Sequence, residues 1–471
     1  MRTLSPSSRY RLASLFAATI GAAAAVQSRA ADSAPPTTVP TQQELLDKIN
    51  ALQSEVTQLK TQQSATMTAE QRLESQRAVD ATVAQVHADA QRHSQLFDLA
   101  DGNSIVAQHT DSGFKFHTVD GNYSINPWLQ LQFRYETTYR SQASAAGDDT
   151  QSGFEVRRLK FGADGNLFGP NLTYFLQFSV DRTSGDTLLE LAWAKYHFQN
   201  TPFAVQFGDI KDPLDHEQII SSRYMDQIER SLVDDLFAKS EGFVKGVTLT
   251  YEDKGPLRAA YAVTGGLGNY NTNFEEYPTN SDNWGTAGRA EFKFFGDWKD
   301  YDTHFSGFGT QQDTLVAGFG ADWTEAGKGG ILTHVLDAEY LSQSGLMLYG
   351  AYLGRYTRDD TVGTGKAATI NDTYDSTLRF QASYAIDQHW EPYIQYEFIH
   401  FDPKDLAAKS QDEVHVIRLG TSYYFYGHAA KFQTDVSYLP NGSPSNDTNS
   451  GVLLDNGHGE FIWRAQFQLL L

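Results

Sequence analysis

The sequence predicts an all-β protein: a 16-stranded antiparallel transmembrane β-barrel preceded by a short N-terminal α-helical coiled coil. Three observations carry this expectation. From about residue 119 to Leu471, apolar and polar residues alternate with a period of two over many short stretches, without helical patterns between them. Aromatic residues make up 13% of the chain, and 38 Gly against only 14 Pro suit strands joined by polar loops. The connections between alternating stretches are by turns short and long, as outer-membrane barrels require.

Composition narrows the class further. The 471 residues include no Cys, so there is no disulfide framework, thiol nucleophile or zinc ribbon. With 37 Lys and Arg against 58 Asp and Glu, the net charge of −21 argues against nucleic acid as a partner, because a phosphate backbone needs a basic surface.

The N-terminal elements follow in order. Residues 1–30 read as a signal peptide: Arg2, Arg9 and Arg11 precede the apolar run Leu12 to Val26, and Ser28-Arg29-Ala30 offers a cleavage site. That run of 15 residues is shorter than the roughly 18–20 a membrane-spanning helix needs. Removing the segment with its four Arg leaves 33 basic and 58 acidic residues, a net of −25. Residues 31–40 form a Pro/Thr-rich linker. Over 41–95 the period changes, and Leu45, Ile49, Leu52, Val56 and Leu59 follow the 4-3-4-3 spacing of a coiled-coil seam, started by a capping box at Thr41 and Glu44. A lone amphipathic helix remains open as an alternative. Residues 96–118 read as a connector with a turn at Asp101-Gly102-Asn103, and 119–471 as the barrel.

Sixteen stretches qualify as strands: 123–139, 154–166, 171–181, 187–198, 202–208, 243–252, 256–264, 285–294, 313–324, 330–341, 345–357, 374–386, 390–401, 414–425, 430–438 and 461–471. In the first, Gln130, Gln132, Arg134 and Glu136 alternate with Leu129, Leu131, Phe133 and Tyr135. One face is wet and the other greasy, the pattern of a wall between a polar lumen and lipid. Two places break the long and short alternation: Phe295–Gln312 is long for a turn, and Glu325–Gly329 is short for an outer loop. On strand parity Arg134, Arg158, Lys160, Arg289, Arg379 and Arg418 face the lumen, as do Arg258, Lys293, Lys431 and Arg464, interleaved with acids such as Glu291, Asp337, Glu391 and Glu397. Charged rings of this kind set the selectivity of pores.

The longest connection, Asp209–Gly242, carries Ile219, Ile220, Tyr224, Met225, Ile228, Leu232, Val233 and Leu236, which are costly to leave in water. We expect it to fold into the lumen, which a barrel of this size is wide enough to receive. An extracellular flap is the alternative.

Two motifs carry a resemblance. One runs from Phe154-Glu155-Val156-Arg157-Arg158-Leu159-Lys160-Phe161-Gly162 to Gly165-Asn166-Leu167-Phe168-Gly169. The other is Phe207-Gly208-Asp209-Ile210-Lys211-Asp212-Pro213 with Glu217, Ser221-Ser222 and Ile228-Glu229-Arg230-Ser231. Both are similar to the phosphate-selective porin O and P family, and the resemblance extends over most of 119–471. It implies a homotrimeric porin of the Gram-negative outer membrane, in contact with lipid and lipopolysaccharide, with ions or small solutes as permeants, no cofactor and its coiled coil in the periplasm. It also implies that the third loop lines the constriction, placing Lys211, Asp215, Glu217, Arg223, Glu229, Arg230 and Lys239 there. Family members that prefer anions bring several lysines to that loop. Between 211 and 241 this chain has Lys211, Arg223, Arg230 and Lys239 against eight acidic residues, so anion or phosphate preference stays open.

No enzyme motif stands beside these. His-Glu-x-x-His and Gly-x-Ser-x-Gly do not occur, and Gly363-Thr364-Gly365-Lys366 lacks the upstream glycine of a phosphate-binding loop. Asp215-His216-Glu217 is the best candidate for a hidden hydrolase site, and no metal site has regular ligand spacing. The alternative to a diffusion channel is a non-conducting barrel that uses the coiled coil to engage the cell wall.

Overall fold

A computed structural model describes residues 51, 54–55, 105–110, 113–141, 149–239, 242–267, 284–326, 329–362, 369–405, 411–454 and 457–471. The chain divides into two compact units, Met1–Leu99 and Ala100–Leu471. In the first, Ala51, Ser54 and Glu55 are helical and exposed. The signal peptide, the linker and otherwise the coiled coil lie outside the described residues.

The second unit is almost all sheet. A hairpin of β1 (Ile105–Thr110) and β2 (Gly113–Thr118) precedes the sixteen strands of a closed barrel. These are β3 (Ser124–Arg140), β4 (Thr150–Asn166), β5 (Leu172–Val180), β6 (Thr187–His197), β7 (Phe203–Lys211), β8 (Phe243–Glu252), β9 (Leu257–Thr264) and β10 (Gly285–Phe295). They continue as β11 (Thr314–Ala326), β12 (Gly329–Leu341), β13 (Leu346–Val362), β14 (Thr369–Tyr384), β15 (Trp390–His400), β16 (Glu413–Tyr426), β17 (Ala430–Leu439) and β18 (Glu460–Leu470). Each pairs antiparallel with the next. Closure is made by β18 on β3, from Glu460↔Arg140 to Leu470↔Gln130, and Leu471 extends it by exchanging backbone hydrogen bonds with Leu129 at 2.9 and 3.0 Å. A closed sheet has no edge strand with unpaired backbone, which is why strands can cross hydrocarbon at all.

All sixteen expected strands are present, but the hairpin was not expected. Residues 105–118 fall in the stretch read as a connector. The alternation there is only a few residues long, Phe114-Lys115-Phe116-His117, and β2 gains its order from pairing with the start of β3 at Phe116↔Ile125. The outer connection expected over 358–373 is also shorter than its sequence suggests, because β13 and β14 run on as a ribbon to Val362 and from Thr369.

Side chains are distributed inside out. Phe380, Leu419 and Phe319 on the outer face are 52%, 56% and 52% exposed, whereas Arg134, Arg379 and Arg418 on the inner face are 0%, 1% and 1% exposed. Aromatic rings collect at the strand ends on the outside, as Trp390 with Tyr423 and Phe425 at the short-turn end, and Tyr135 with Phe154 and Trp463 at the other. That is where amphipathic rings meet headgroups.

The inner arginines are buried because connections fold into the bore, among them the one between β17 and β18, whose Asn449, Ser450 and Leu454 carbonyls accept from Arg134, Arg464 and Arg140. The β7–β8 connection enters from the long-loop end and contains α1 (His216–Ile219) and α2 (Leu232–Phe237). Ser231 caps α2, its side chain accepting from Asp234 N. The β10–β11 connection enters from the short-turn end with α3 (Trp298–Thr303), capped by Asp297. Sequence length marks this second connection as too long for a turn, and its inward course is the reason.

Candidate functional site in the barrel lumen

The β7–β8 loop does not sit in water. Leu214, Leu232, Val233 and Phe237 pack on an apolar patch of the inner wall that includes Val335, Leu353, Ile399, Val414, Val416 and Ile462. Ile220 and Met225 pack with Phe305, Leu341 and Met347. Phe305 belongs to the opposite connection: Asp226 N donates to Phe305 O at 3.1 Å and Phe305 N to Tyr224 O at 3.1 Å. The two inward folds thus meet inside the barrel and share backbone bonds. The second is anchored by Glu391, which accepts from Ser306 Oγ at 2.7 Å, Gly307 N at 2.6 Å and Tyr424 Oη at 2.5 Å.

Charged groups lock the loop to the wall at two places. At the first, Arg379 donates to both oxygens of Asp215, at 2.9 and 2.7 Å, and to Glu217 Oε2 at 2.5 Å. Glu217 also accepts from Ser231 N and Oγ, at 2.9 and 2.7 Å. At the second, Glu229 accepts from Arg134 at 2.8 Å, Arg157 at 2.6 Å and Arg158 at 2.7 Å. Burial alone would push the Glu229 carboxyl up, but the guanidinium groups of Arg157, Arg158 and Arg134 outweigh it and hold it well below the usual carboxylate range. Arg418 donates to Glu229 O at 2.8 Å, and Arg289 to Leu214 O at 3.1 Å and to Asp337.

The site residues expected from the sequence therefore separate into two groups. Asp215, Glu217, Glu229 and Arg230 of the loop, with Arg134, Arg379 and Arg418 of the wall, are buried in the bonds that hold the loop. Arg230 is turned into the loop itself, donating to Glu217 O at 3.2 Å and Ile220 O at 2.6 Å. Lys239 is exposed where the loop returns to β8, with φ 57. Arg158 and Arg289 belong to both, bonded to Glu229 and to Leu214 O and Asp337 while bordering open space, and Lys160, Lys211 and Arg223 border it too. Arg157 was not expected on the lumen, since parity places it outward beside Arg158. A bulge in β4 leaves it unpaired between Gln132↔Arg158 and Phe133↔Val156, so that two consecutive arginines point inward.

The open space lies beside β4 to β10. One cavity of about 510 Å³ includes Lys160, Lys195, Lys211 and Arg223 in its walls, and a second of about 780 Å³ toward the long-loop end includes Arg157, Arg158, Lys160, Arg182 and Lys245. Both are lined by Lys160. Their walls together hold ten Lys and Arg against six Asp and Glu, in a chain whose net charge is −21. Lys195 and Lys160 are paired with Glu252 and Glu190 respectively. Lys211 Nζ donates to the carbonyls of Gln218, Ile219 and Ile220 at 2.7, 3.1 and 3.3 Å.

As for metal or acid-base chemistry, Asp215, Glu217 and Asp234 bring carboxylate oxygens within 4.8 Å of one another, and Arg379 already occupies the place between the first two. His216 stacks on Tyr301 at 3.8 Å and its Nε2 lies 2.6 Å from Glu339, while Asp215 and Glu217 on either side are held by Arg379.

The family model described as phosphate-selective porin O and P matches residues 129–295, which bears out the resemblance read from the two motifs. Among solved structures, the anion-selective porin from Comamonas acidovorans is similar at 12% identity, covering 74% of this chain and 100% of that one with a TM-score of 0.53. The outer membrane channel DcaP of Acinetobacter baumannii is similar at 10% identity, covering 75% and 99%, with a TM-score of 0.50. These likenesses establish the barrel fold. No curated protein matches the chain.

Proposed function

We propose that this chain, which carries the phosphate-selective porin O and P signature over residues 129–295, forms a water-filled channel of the Gram-negative outer membrane that favours anions. The observation that supports the reading is the make-up of the open path's walls, ten basic against six acidic residues in a chain of net charge −21, with Arg157 and Arg158 offset by Glu229 and Arg289 by Asp337 behind them. In a bore walled by low-dielectric protein and lipid, that excess raises the local concentration of anions and repels cations.

The inward β7–β8 loop narrows the passage to the side lined by β4 to β10, where Lys160, Lys211 and Arg223 offer the positive charge. Of the loop acids, Asp215 and Glu217 are held by Arg379, which lies outside the open path, whereas Glu229 offsets Arg157 and Arg158 on it. The short turns face the periplasm, the heptads of 41–95 clamp three barrels, and the homotrimer that the resemblance implies is the assembled form.

Reversal potential in a potassium chloride gradient across a planar bilayer tests the reading. The expected sign is anion-selective, and replacing Lys160, Lys211 and Arg223 by Gln is expected to move it toward cations. A barrel that inserts without passing current would instead support a wall-engaging structural protein. Replacing chloride by phosphate in the same gradient reads phosphate preference, and the mass of the detergent complex with and without 41–95 tests the clamp.

A further inference from the structure

The lumen of a barrel porin is ordinarily lined by polar side chains, yet one stretch of this inner wall is a row of stacked rings. Trp128 on β3, Phe175 on β5 and Trp193 on β6 all take the lumen-facing register. The Trp128 and Phe175 rings are 5.8 Å apart at 27°, and the Phe175 and Trp193 rings 5.6 Å apart at 11°. Phe175 and Trp193 are direct cross-strand partners. Trp128 is two strands away from Phe175 and reaches it because β4 presents Gly162 between them. A Cβ at Gly162 would stand 2.8 Å from the Trp128 ring. On the far side, Trp193 faces Gly208 on β7, which again has no side chain to cover it.

The loop covers Trp128 but not the other two rings. Phe175 and Trp193 are half-buried and form part of the wall of the 510 Å³ cavity. Two lysines flank them along the strands, Lys195 paired with Glu252 and Lys160 with Glu190. Lys195 lies two residues beyond Trp193, about 7 Å at strand rise, and Lys160 is opposite Ser179, four residues and roughly 13 Å from Phe175 in the other direction. At one end of the row the Arg223 guanidinium lies 4.2 Å above the Trp128 ring. A solute moving past Lys160 therefore meets planar apolar faces before it reaches Lys195.

We propose that this ring row is a binding subsite for solutes that combine a flat unsaturated ring with a carboxylate, retaining aromatic carboxylates in preference to small inorganic anions or aliphatic acids. The inference rests on the channel reading above and names the solute class that path would favour. A ring laid on Phe175 and Trp193 gains stacking and loses hydrated apolar surface, and its carboxylate is directed toward Lys195, which it would share with Glu252. Aliphatic acids of the same charge gain only the second contact.

The test uses the full mature chain in planar bilayers, with benzoate, acetate and glucose added separately to a potassium chloride bath, each block normalised to the same variant's chloride current. Benzoate is expected to reduce chloride conductance at roughly threefold to tenfold lower concentration than acetate, the range that one stacking contact supports. Phe175→Leu and Trp193→Leu are expected to bring benzoate to the level of acetate, and Trp193→Phe to restore the difference. Equal block by benzoate and acetate, or a difference that survives both Leu variants, would overturn the subsite while leaving the channel reading standing. Block by glucose that is as strong as benzoate and equally sensitive to the rings would overturn the requirement for a carboxylate. Absence of chloride current altogether would count against the channel itself.

Discussion

Glu229 meets three guanidinium groups at 2.6 to 2.8 Å while 2% exposed, so one carboxylate holds the loop to β3 and β4. Glu229→Gln keeps the size and leaves three buried cations without their anion. Breaking a buried pair from one side costs about 3–5 kcal/mol, more than a loop of two short helices can absorb elsewhere. The expected outcome is a flickering single-channel current and earlier protease cleavage within 212–242, measured against the parent in the same lipid. The response to pH follows from two opposite shifts. Glu229 is held below its ordinary 4.5, so its contribution is fully present above that value and is lost only as pH falls through the lower one. Asp226 and Asp234 are raised well above 3.8, first by burial and then by Glu391 and Glu217 respectively. Their ionisation opposes docking as pH rises. Acidification from neutral pH toward 5 is therefore expected to steady the loop, and current noise recorded across that range checks it; a channel that becomes noisier at pH 5 contradicts this balance.

Strand positions were legible because alternation was long and both faces differed in kind. Trp128–Glu136, for example, offers four polar and four apolar positions after its tryptophan, and the structure pairs them without a slip until Gln132. What lay beyond reach were the places where the period is interrupted. The bulge at Arg157 cannot be read from parity, since two adjacent arginines face one side only when a residue is inserted. The stacked rings were readable in part: Phe175 and Trp193 occupy the same register as Gln177 and Lys195, a polar series with aromatic members. Apolar residues on the lumen register, Ile399, Val414, Val416 and Ile462, were likewise a signal that something greasy covers the inner wall, and α2 with Leu214 and Val452 belongs to that cover. Which arginines remain open to the bore was hidden, because it depends on how far the loop travels. The β10–β11 connection gives a further test. Phe305 is fully buried between the two inward folds. Phe305→Ala is expected to cost about 3–5 kcal/mol locally and to release the connection toward the short-turn end, raising single-channel conductance; an unchanged conductance would mean the backbone bonds from Tyr224 and Asp226 hold it alone.

The whole molecule sets an acidic chain around a bore with a basic wall, and the two charges act over different distances. Charges that meet bulk electrolyte are screened by salt, whereas the cations of the two cavities lie inside a wall of protein and lipid. At 0.1 M salt the Debye length is about 10 Å, long enough for the potentials of neighbouring cations along the path to overlap in part. At 1 M it is about 3 Å, and each lysine acts alone. Anion preference is therefore expected to fall steeply when both baths are raised from 0.1 M to 1 M at a constant concentration ratio, as read from the reversal potential. The retention of benzoate should fall less over the same range, because stacking on Phe175 and Trp193 is not screened. If the two preferences instead declined in parallel, selection would reside in the field alone and the rings would be part of the scaffold.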